Sequence, residues 1–260
     1  MASNDLGVVM ITGVTGNLGK AFTNFFLKKG YRVAGLDIDQ DRLNDMSSEV
    51  ESTSFKGYMC DITHLDRCKD VYSQIESDLG PVEILINNAG ITHIERYKDT
   101  SDPIGVIRRV MDVNFMGSVH CTHVSLNALI ERKGTVITIS SVAGFAPLLG
   151  RTAYAASKHA LHGFFESLDA ELDDVRFLMV CPGFIAVDEQ RKSNAAIHQK
   201  KTIIGPKVRP EDIVNRSWNA LTKGKKVVTC GRTATLSFYI KRFLPSFYFS
   251  RMKKKLQKEL

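Results

Sequence analysis

Hydrophobic residues along this 260-residue chain gather in short dense runs, separated by longer stretches of mixed polarity. The runs are GVVMIT (7–12), YRVAGLD (31–37), FKGYMC (55–60), VEILINN (82–88), GTVITIS (134–140), VRFLMVCP (175–182) and KKVVTC (225–230). They are short, mostly rich in β-branched residues and bounded by Gly, Pro or polar residues, which predicts strands. The intervening stretches show helical spacing: AFTNFFLKKG ended by Gly30, His64–Leu79, Asp102–Arg132 broken at Gly117, Thr152–Asp173 and Lys207–Leu221. Strands alternating with helices predict right-handed parallel βαβ units: a Rossmann-type, doubly wound α/β sheet of about seven strands with helices on both faces. No repeat or linker interrupts the pattern, so a single domain over residues 1–231 is expected, followed by an extension over 232–260.

In such folds the ligand lies at the carboxyl ends of the strands. The first strand runs straight into GVTGNLGK. Gly13 allows a tight turn there. Gly16 and Gly19 leave room for a pyrophosphate and for close helix–strand packing, and Asn17 and Leu18 start a helix whose free N–H groups face the phosphates. Asp37 ends the second strand 24 residues after Gly13, near the offset expected of a ribose-binding acid. Its charge would repel a 2′-phosphate, and Ile38 and Asp39 supply no cation, so NAD(H) is expected rather than NADP(H). The competing reading makes Asp37 a cap of the next helix. Asp61, followed by Ile62, sits where it can reach the adenine amino group or else cap the helix from His64. Asn87, Ala89 and Gly90 follow the fourth strand, where small residues let backbone approach a cofactor. Asp37, Asp61, Asn87, Ser141 and Pro182 all fall at strand carboxyl ends, and this agreement outweighs any one motif.

The stretch from Ser141 to Lys158 carries the candidate chemistry. Tyr154 and Lys158 are one helical turn apart on one face. A nearby cation lowers the pKa of a phenol from its usual ~10, and such a phenol can exchange a proton with an alcohol or carbonyl near neutral pH. Ser141, at a strand end, can hold the substrate oxygen.

Together the glycine turn, Asp61, Asn87-Asn88-Ala89-Gly90, Asn114, Ser141, Tyr154-x-x-x-Lys158 and Pro182-Gly183 resemble the classical short-chain dehydrogenase/reductase family over about residues 7–230. The resemblance implies a catalytic tetrad of Asn114, Ser141, Tyr154 and Lys158. Tyr154 would be the acid/base. Lys158 would tune it and bind the nicotinamide ribose, and the Asn114 backbone would hold a water at a kink in its helix. It also implies cofactor contacts from Pro182, Gly183 and Ile185, and a homodimer or homotetramer formed through the helices around 103–131 and 153–172. Two departures stand out. The turn reads T-G-x-x-G-x-x-G, with Asn17 where the family more often has glycine; Asn tolerates positive φ. Val187 stands where a threonine commonly meets the carboxamide, leaving the Ile185 backbone or the Asp188 region to orient the ring.

Composition refines the picture. The net charge of +7 hides a balance of +15 in residues 190–260 against −8 in residues 1–189, so the C-terminal part is expected to meet something anionic. The five scattered cysteines read as reduced thiols in a cytoplasmic protein, not as disulfides or a metal site. Met1 is followed by no signal-peptide pattern, which disfavours reading the final QKEL as an ER-retention tail. Ala143, Phe145, Pro147, Leu148, Leu149 and Phe184 suggest an apolar pocket for a lipophilic secondary alcohol or ketone, such as a steroid, retinoid or fatty acyl chain; packing against another loop or subunit is the rival reading. Residues 188–206 suit a substrate lid, in which His198, Lys200 and Lys201 can meet an anionic group. The extension interleaves aromatic and basic residues, and Pro245 divides it into two helices. Such a segment suits the surface of an anionic membrane, peripherally, or a neighbouring subunit; the acidic body argues against nucleic acid. The weighed alternatives to an NAD-dependent enzyme are an NADP(H)-dependent carbonyl reductase and a non-catalytic nucleotide-sensing scaffold.

Overall fold

The computed structural model describes residues 6–50, 52–186, 196–199 and 207–259. Seven parallel strands form the central sheet: β1 (Val8–Thr12), β2 (Arg32–Asp37), β3 (Phe55–Met59), β4 (Val82–Asn87), β5 (Thr135–Ile139), β6 (Arg176–Pro182) and β7 (Val227–Cys230). Their order is β7-β6-β5-β4-β1-β2-β3. β1 pairs with both β2 and β4, so the chain reverses direction across the sheet there and opens a crevice at the strand ends. The helices are α1 (Asn17–Lys28), α2 (Gln40–Val50), α3 (Leu65–Leu79), α4 (Pro103–Met111), α5 (Gly117–Glu131), α6 (Thr152–Glu171), α7 (Pro210–Thr222), α8 (Arg232–Phe243) and α9 (Pro245–Glu259).

Alternate residues of each strand feed two cores, one on each face of the sheet. Met10, Leu85, Val136 and Phe177 pack with Val71 and Ile75 of α3, Leu129 of α5 and Leu161 and Phe165 of α6. Val9, Ile11, Ile86 and Ile137 pack with Phe22 and Phe26 of α1, Leu43 and Met46 of α2 and Ile213 of α7. All five residues of β1 and of β5 are buried, which explains their unbroken apolar runs. Burial of a side chain such as Phe22 or Phe26 contributes about 2–3 kcal/mol.

The stretch 102–132 differs from expectation. It is not broken at Gly117: α4 passes through one π-helical turn, Asp112–Met116, into α5 with right-handed helical dihedrals throughout. Gly117 is small because a Cβ there would lie 2.5 Å from the Ile62 side chain. Asn17 likewise does not use positive φ: it is the first residue of α1, and among the described residues Lys133 is the only non-glycine with positive φ. The extension does divide at Leu244–Pro245. Its Ala234 and Tyr248 are buried in a small cluster with Val142 and Ala146.

Candidate active site and dinucleotide cleft

Backbone approach sets the glycine turn. Gly13 has φ +63°, and a Cβ on it would come within 2.8 Å of the Ala89 Cα. At Gly19 a Cβ would lie 2.5 Å from the Gly13 carbonyl oxygen and 2.6 Å from that of Val14. Gly16 is the N-cap of α1 and brings no side chain to it, and the first turn holds no acid. The first amides, those of Asn17, Leu18 and Gly19, are therefore left without a side-chain cap, which suits a bound phosphate. Leu18 itself is buried in the core.

The side chain of Asn88 ties this turn to β4, donating to the carbonyls of Thr12 (2.9 Å) and Gly13 (3.0 Å). The Thr12 hydroxyl accepts from the amides of Asn88 and Ala89, both at 3.0 Å. Asn87 is 2% exposed and donates to Thr122 Oγ1, so its side chain belongs to the core and only its backbone faces the strand end. A Cβ on Gly90 would lie 3.2 Å from Asn114 Oδ1 and 3.6 Å from Lys158 Nζ. Gly90 therefore marks the join between the dinucleotide cleft and the tetrad.

Asp37 does not cap the next helix; Asp39 does, accepting from the Arg42 amide at 3.1 Å. Asp37 Oδ2 instead accepts from the amide and hydroxyl of Thr15 (3.1 and 2.8 Å), which aims the carboxylate across the glycine turn. Asp61 is no helix cap either: the residue before α3 is His64. Its Oδ1 accepts from the amide and hydroxyl of Thr63 at 3.0 and 2.7 Å. Partial burial pushes its pKa up, but the Thr63 bonds and the His64 ring hold it below the usual carboxylate range. Ile62 is buried against α5, and its carbonyl accepts from or faces His120 Nδ1 at 2.9 Å.

The four tetrad residues meet at the ends of β4 and β5. Asn114 lies in the π-helical turn, fully buried. Its amide donates to the Ile91 carbonyl (3.0 Å) and Ser157 Oγ (2.9 Å) and accepts from the Ile91 amide (2.8 Å). Its own carbonyl accepts from the Ser118 hydroxyl at 3.0 Å. Lys158 is 3% exposed; its Nζ donates to the Ile139 carbonyl at 2.8 Å and lies 5.7 Å from the Tyr154 ring centre. Burial lowers its pKa to about 8. Tyr154 reaches the Ser141 hydroxyl, whose oxygen also accepts from the Ala143 amide at 3.2 Å. Burial raises the Tyr154 pKa; Ser141 and the Arg151 guanidinium oppose the rise. Desolvation is the larger influence on the phenol here, and Arg151 is the cation that opposes it, with Lys158 one helical turn further along the same face.

Pro182 ends β6 in a buried position, Gly183 donates its amide to the Cys230 carbonyl at 3.0 Å, and Ile185 belongs to a two-residue strand, Phe184–Ile185, parallel to Lys207–Val208. Val187, Asp188, Lys200 and Lys201 lie outside the described residues. Of the lid region 188–206, only Ala196–Gln199 is described, as a strand parallel to Thr92–Ile94.

Sequence reading missed several neighbours. Thr15 orients Asp37. Arg42 donates to the Thr15 carbonyl at 3.1 Å, placing a cation beside the turn. Arg151 stacks 5.9 Å from the Tyr154 ring centre and 5.6 Å from that of Phe184, and its buried Nε has no hydrogen-bond partner among the described residues. On the same face of α6 as Tyr154 and Lys158 come His162 and Glu166; His162 links Ser140 Oγ (3.1 Å) to Glu166 Oε1 (3.0 Å) behind Ser141. A four-residue spacing of polar residues along 154–166 was the signal available for this pair. The apolar loop behaves differently from the pocket expected. Phe145 packs edge-on against Phe238 at 5.0 Å, Leu148 joins the Tyr248 cluster and the Pro147 carbonyl accepts from Tyr248, so the extension covers them.

Comparison with known proteins agrees with this geometry. The family model described as short chain dehydrogenase matches residues 7–198. "Dehydrogenase/reductase SDR family member 7B" of Xenopus laevis is 32% identical over 96% of this chain and 82% of its own length. "11-beta-hydroxysteroid dehydrogenase-like 2" of Arabidopsis thaliana is 32% identical over 70% of this chain and 60% of its own. Among solved structures, a short chain dehydrogenase from Burkholderia cenocepacia in complex with NADP superposes with TM-score 0.81 at 24% identity, covering 95% of this chain and 98% of that one. One from Burkholderia phymatum in complex with NAD gives 0.79 at 19%, covering 93% and 95%. The chain belongs to the short-chain dehydrogenase/reductase family of oxidoreductases.

Proposed function

We propose that this protein is an NAD(H)-linked dehydrogenase/reductase of lipophilic secondary alcohols or ketones. The observation that carries the reading is the convergence of Ser141, Tyr154 and Lys158 beside Gly90. A nicotinamide dinucleotide, when bound, supplies or accepts the hydride. Gly13, Gly16, Gly19, Gly90 and the uncapped start of α1 would hold it: Gly13 and Gly19 let the turn close against Ala89 and the Val14 carbonyl, and the first amides of α1 are left without a side-chain cap. Tyr154 passes the proton to or from the substrate oxygen, Ser141 holds that oxygen, and Asn114 keeps Ile91 and Ser157 in place around Lys158. A non-catalytic scaffold would not need these groups to meet.

Asp37 supports NAD(H), because its carboxylate is aimed at the turn by Thr15. Arg42, bonded to the same Thr15, supports the second reading, NADP(H). Steady-state kinetics with both cofactors separates them: a higher kcat/KM with NAD(H) is expected, and a higher value with NADP(H) overturns the assignment. The lipophilic substrate rests on Phe184 beside Tyr154 and on the steroid named for the Arabidopsis relative. A screen of steroids, retinoids and aliphatic alcohols by NADH absorbance tests it, with Tyr154→Phe as control. Turnover that survives this substitution would refute the mechanism. A homodimer or homotetramer built through α4–α6 belongs to the same proposal, and light scattering of the purified protein decides it.

A further inference from the structure

The extension places an unusual surface next to the active-site loop. Of twelve exposed large hydrophobic side chains among the described residues, six lie here: Leu236, Tyr239, Phe243, Leu244, Phe247 and Phe249. Leu236, Tyr239 and Phe243 follow helical spacing on one face of α8, and Phe243 is 69% exposed. Soluble monomers rarely leave such a contiguous apolar set in water. Cations accompany it: Lys241 Nζ lies 5.1 Å from the Phe249 ring centre and the Arg251 guanidinium 5.9 Å from that of Phe247. Residues 232–260 carry eight Lys/Arg and a single acid, Glu259.

We propose that α8 and α9 dock flat on an anionic lipid bilayer. Aromatic rings beside cations match the depth at which acyl chains meet negatively charged headgroups. Neither helix is long and apolar enough to cross a membrane, so they lie on it. A tail-to-tail contact with a second copy would set like charges face to face, which argues for the lipid. The docked helices also grip the loop between Ser141 and Tyr154. Phe238 packs on Phe145, and the Tyr248 hydroxyl donates to the Pro147 carbonyl at 3.1 Å. Docking therefore brings the mouth of the site to the lipid surface. That last consequence rests on the proposed lipophilic substrate; the docking itself does not.

Co-sedimentation of the full chain with phosphatidylcholine vesicles, with or without phosphatidylserine, is the test. At least tenfold more protein is expected on the anionic vesicles, and 0.5 M salt should release it. Phe243→Ser with Phe247→Ser, and separately Arg242→Glu with Arg251→Glu, should each lower binding about tenfold. Both pairs are exposed, so the melting temperature should stay unchanged. Absence of vesicle binding by the unaltered chain, or full binding by both variants, overturns the proposal. So does a dimer in light scattering that the Phe variant dissolves while vesicles bind nothing. A chain that binds vesicles but turns over no alcohol or ketone leaves this inference standing and refutes only the enzymatic reading.

Discussion

Two walls face each other across the site, and they are built differently. The dinucleotide wall is local: within one βαβ unit Gly13 and Gly19 meet through main-chain atoms, and the Asp37 carboxylate accepts from the amide and hydroxyl of Thr15. The loop wall is non-local: Phe145 and Pro147 are held by Phe238 and Tyr248, about a hundred residues away in sequence. The first wall tolerates almost no added volume, because its neighbours are main-chain atoms. The second is a side-chain cluster and can give.

Lys158, where the walls meet, should show the largest effect. Lys158→Met is expected to lower kcat by about 10²–10⁴-fold without lowering stability at pH 7. Burial depresses the folded-state pKa of Lys158 from 10.5 to about 8, so the fold carries a penalty while the amine is charged. Each pKa unit is worth about 1.4 kcal/mol, which makes that penalty about 3 kcal/mol at neutral pH. The unfolded chain binds more protons between pH 8 and 10.5, so wild-type stability should rise with pH across that window through this group. The stability gap between variant and wild type should narrow there, as read by thermal melts. A variant that melts much lower than wild type at pH 7 would contradict this account.

Gly19→Ala attacks the dinucleotide wall alone. Its methyl would meet the carbonyl oxygens of Gly13 and Val14 and the Val14 Cα, all within 2.7 Å. Overpacking of this kind costs about 1–3 kcal/mol, and NADH affinity measured by fluorescence should fall at least tenfold. An unchanged affinity would show that the turn opens freely.

Arg151 bears on the chemistry between the walls. The phenol of Tyr154 is raised by burial, so alcohol oxidation should climb toward alkaline pH, while ketone reduction should be favoured near neutrality. The Arg151 cation opposes that rise, so Arg151→Met should move the climb to still higher pH. A pH–rate profile that stays in place would remove Arg151 from the site. The smallest effect is expected for Tyr248→Phe, which deletes the bond to Pro147. A loss of about 1 kcal/mol in stability is expected, with a severalfold rise in KM for the alcohol or ketone and no change in KM for the dinucleotide. Equal changes in both would show that the walls are coupled.

What the sequence by itself determined was whatever depends on neighbours close in the chain. Alternating apolar runs and amphipathic stretches specify strands and helices, and the glycine spacing specifies a turn that admits phosphate. Four residues between Tyr154 and Lys158 put both on one helical face. Even the break at Pro245 was readable, because a missing N–H acts locally. Only the tertiary structure decided the rest. Asp37 and Asp61 can each be read from sequence as a helix cap, and in the fold their oxygens accept from Thr15 and Thr63. Spacing along the helix puts Lys158 beside Tyr154, but the desolvation of the phenol and the approach of Arg151 come from the surrounding fold. Asn17 and Gly117 were assigned backbone roles, where packing geometry gives each a different one. The apolar loop after Ser141 is held from behind by the extension, through Phe238 and Tyr248. Burial, and with it electrostatic strength, is a property of how distant segments meet, and spacing along one chain does not contain it.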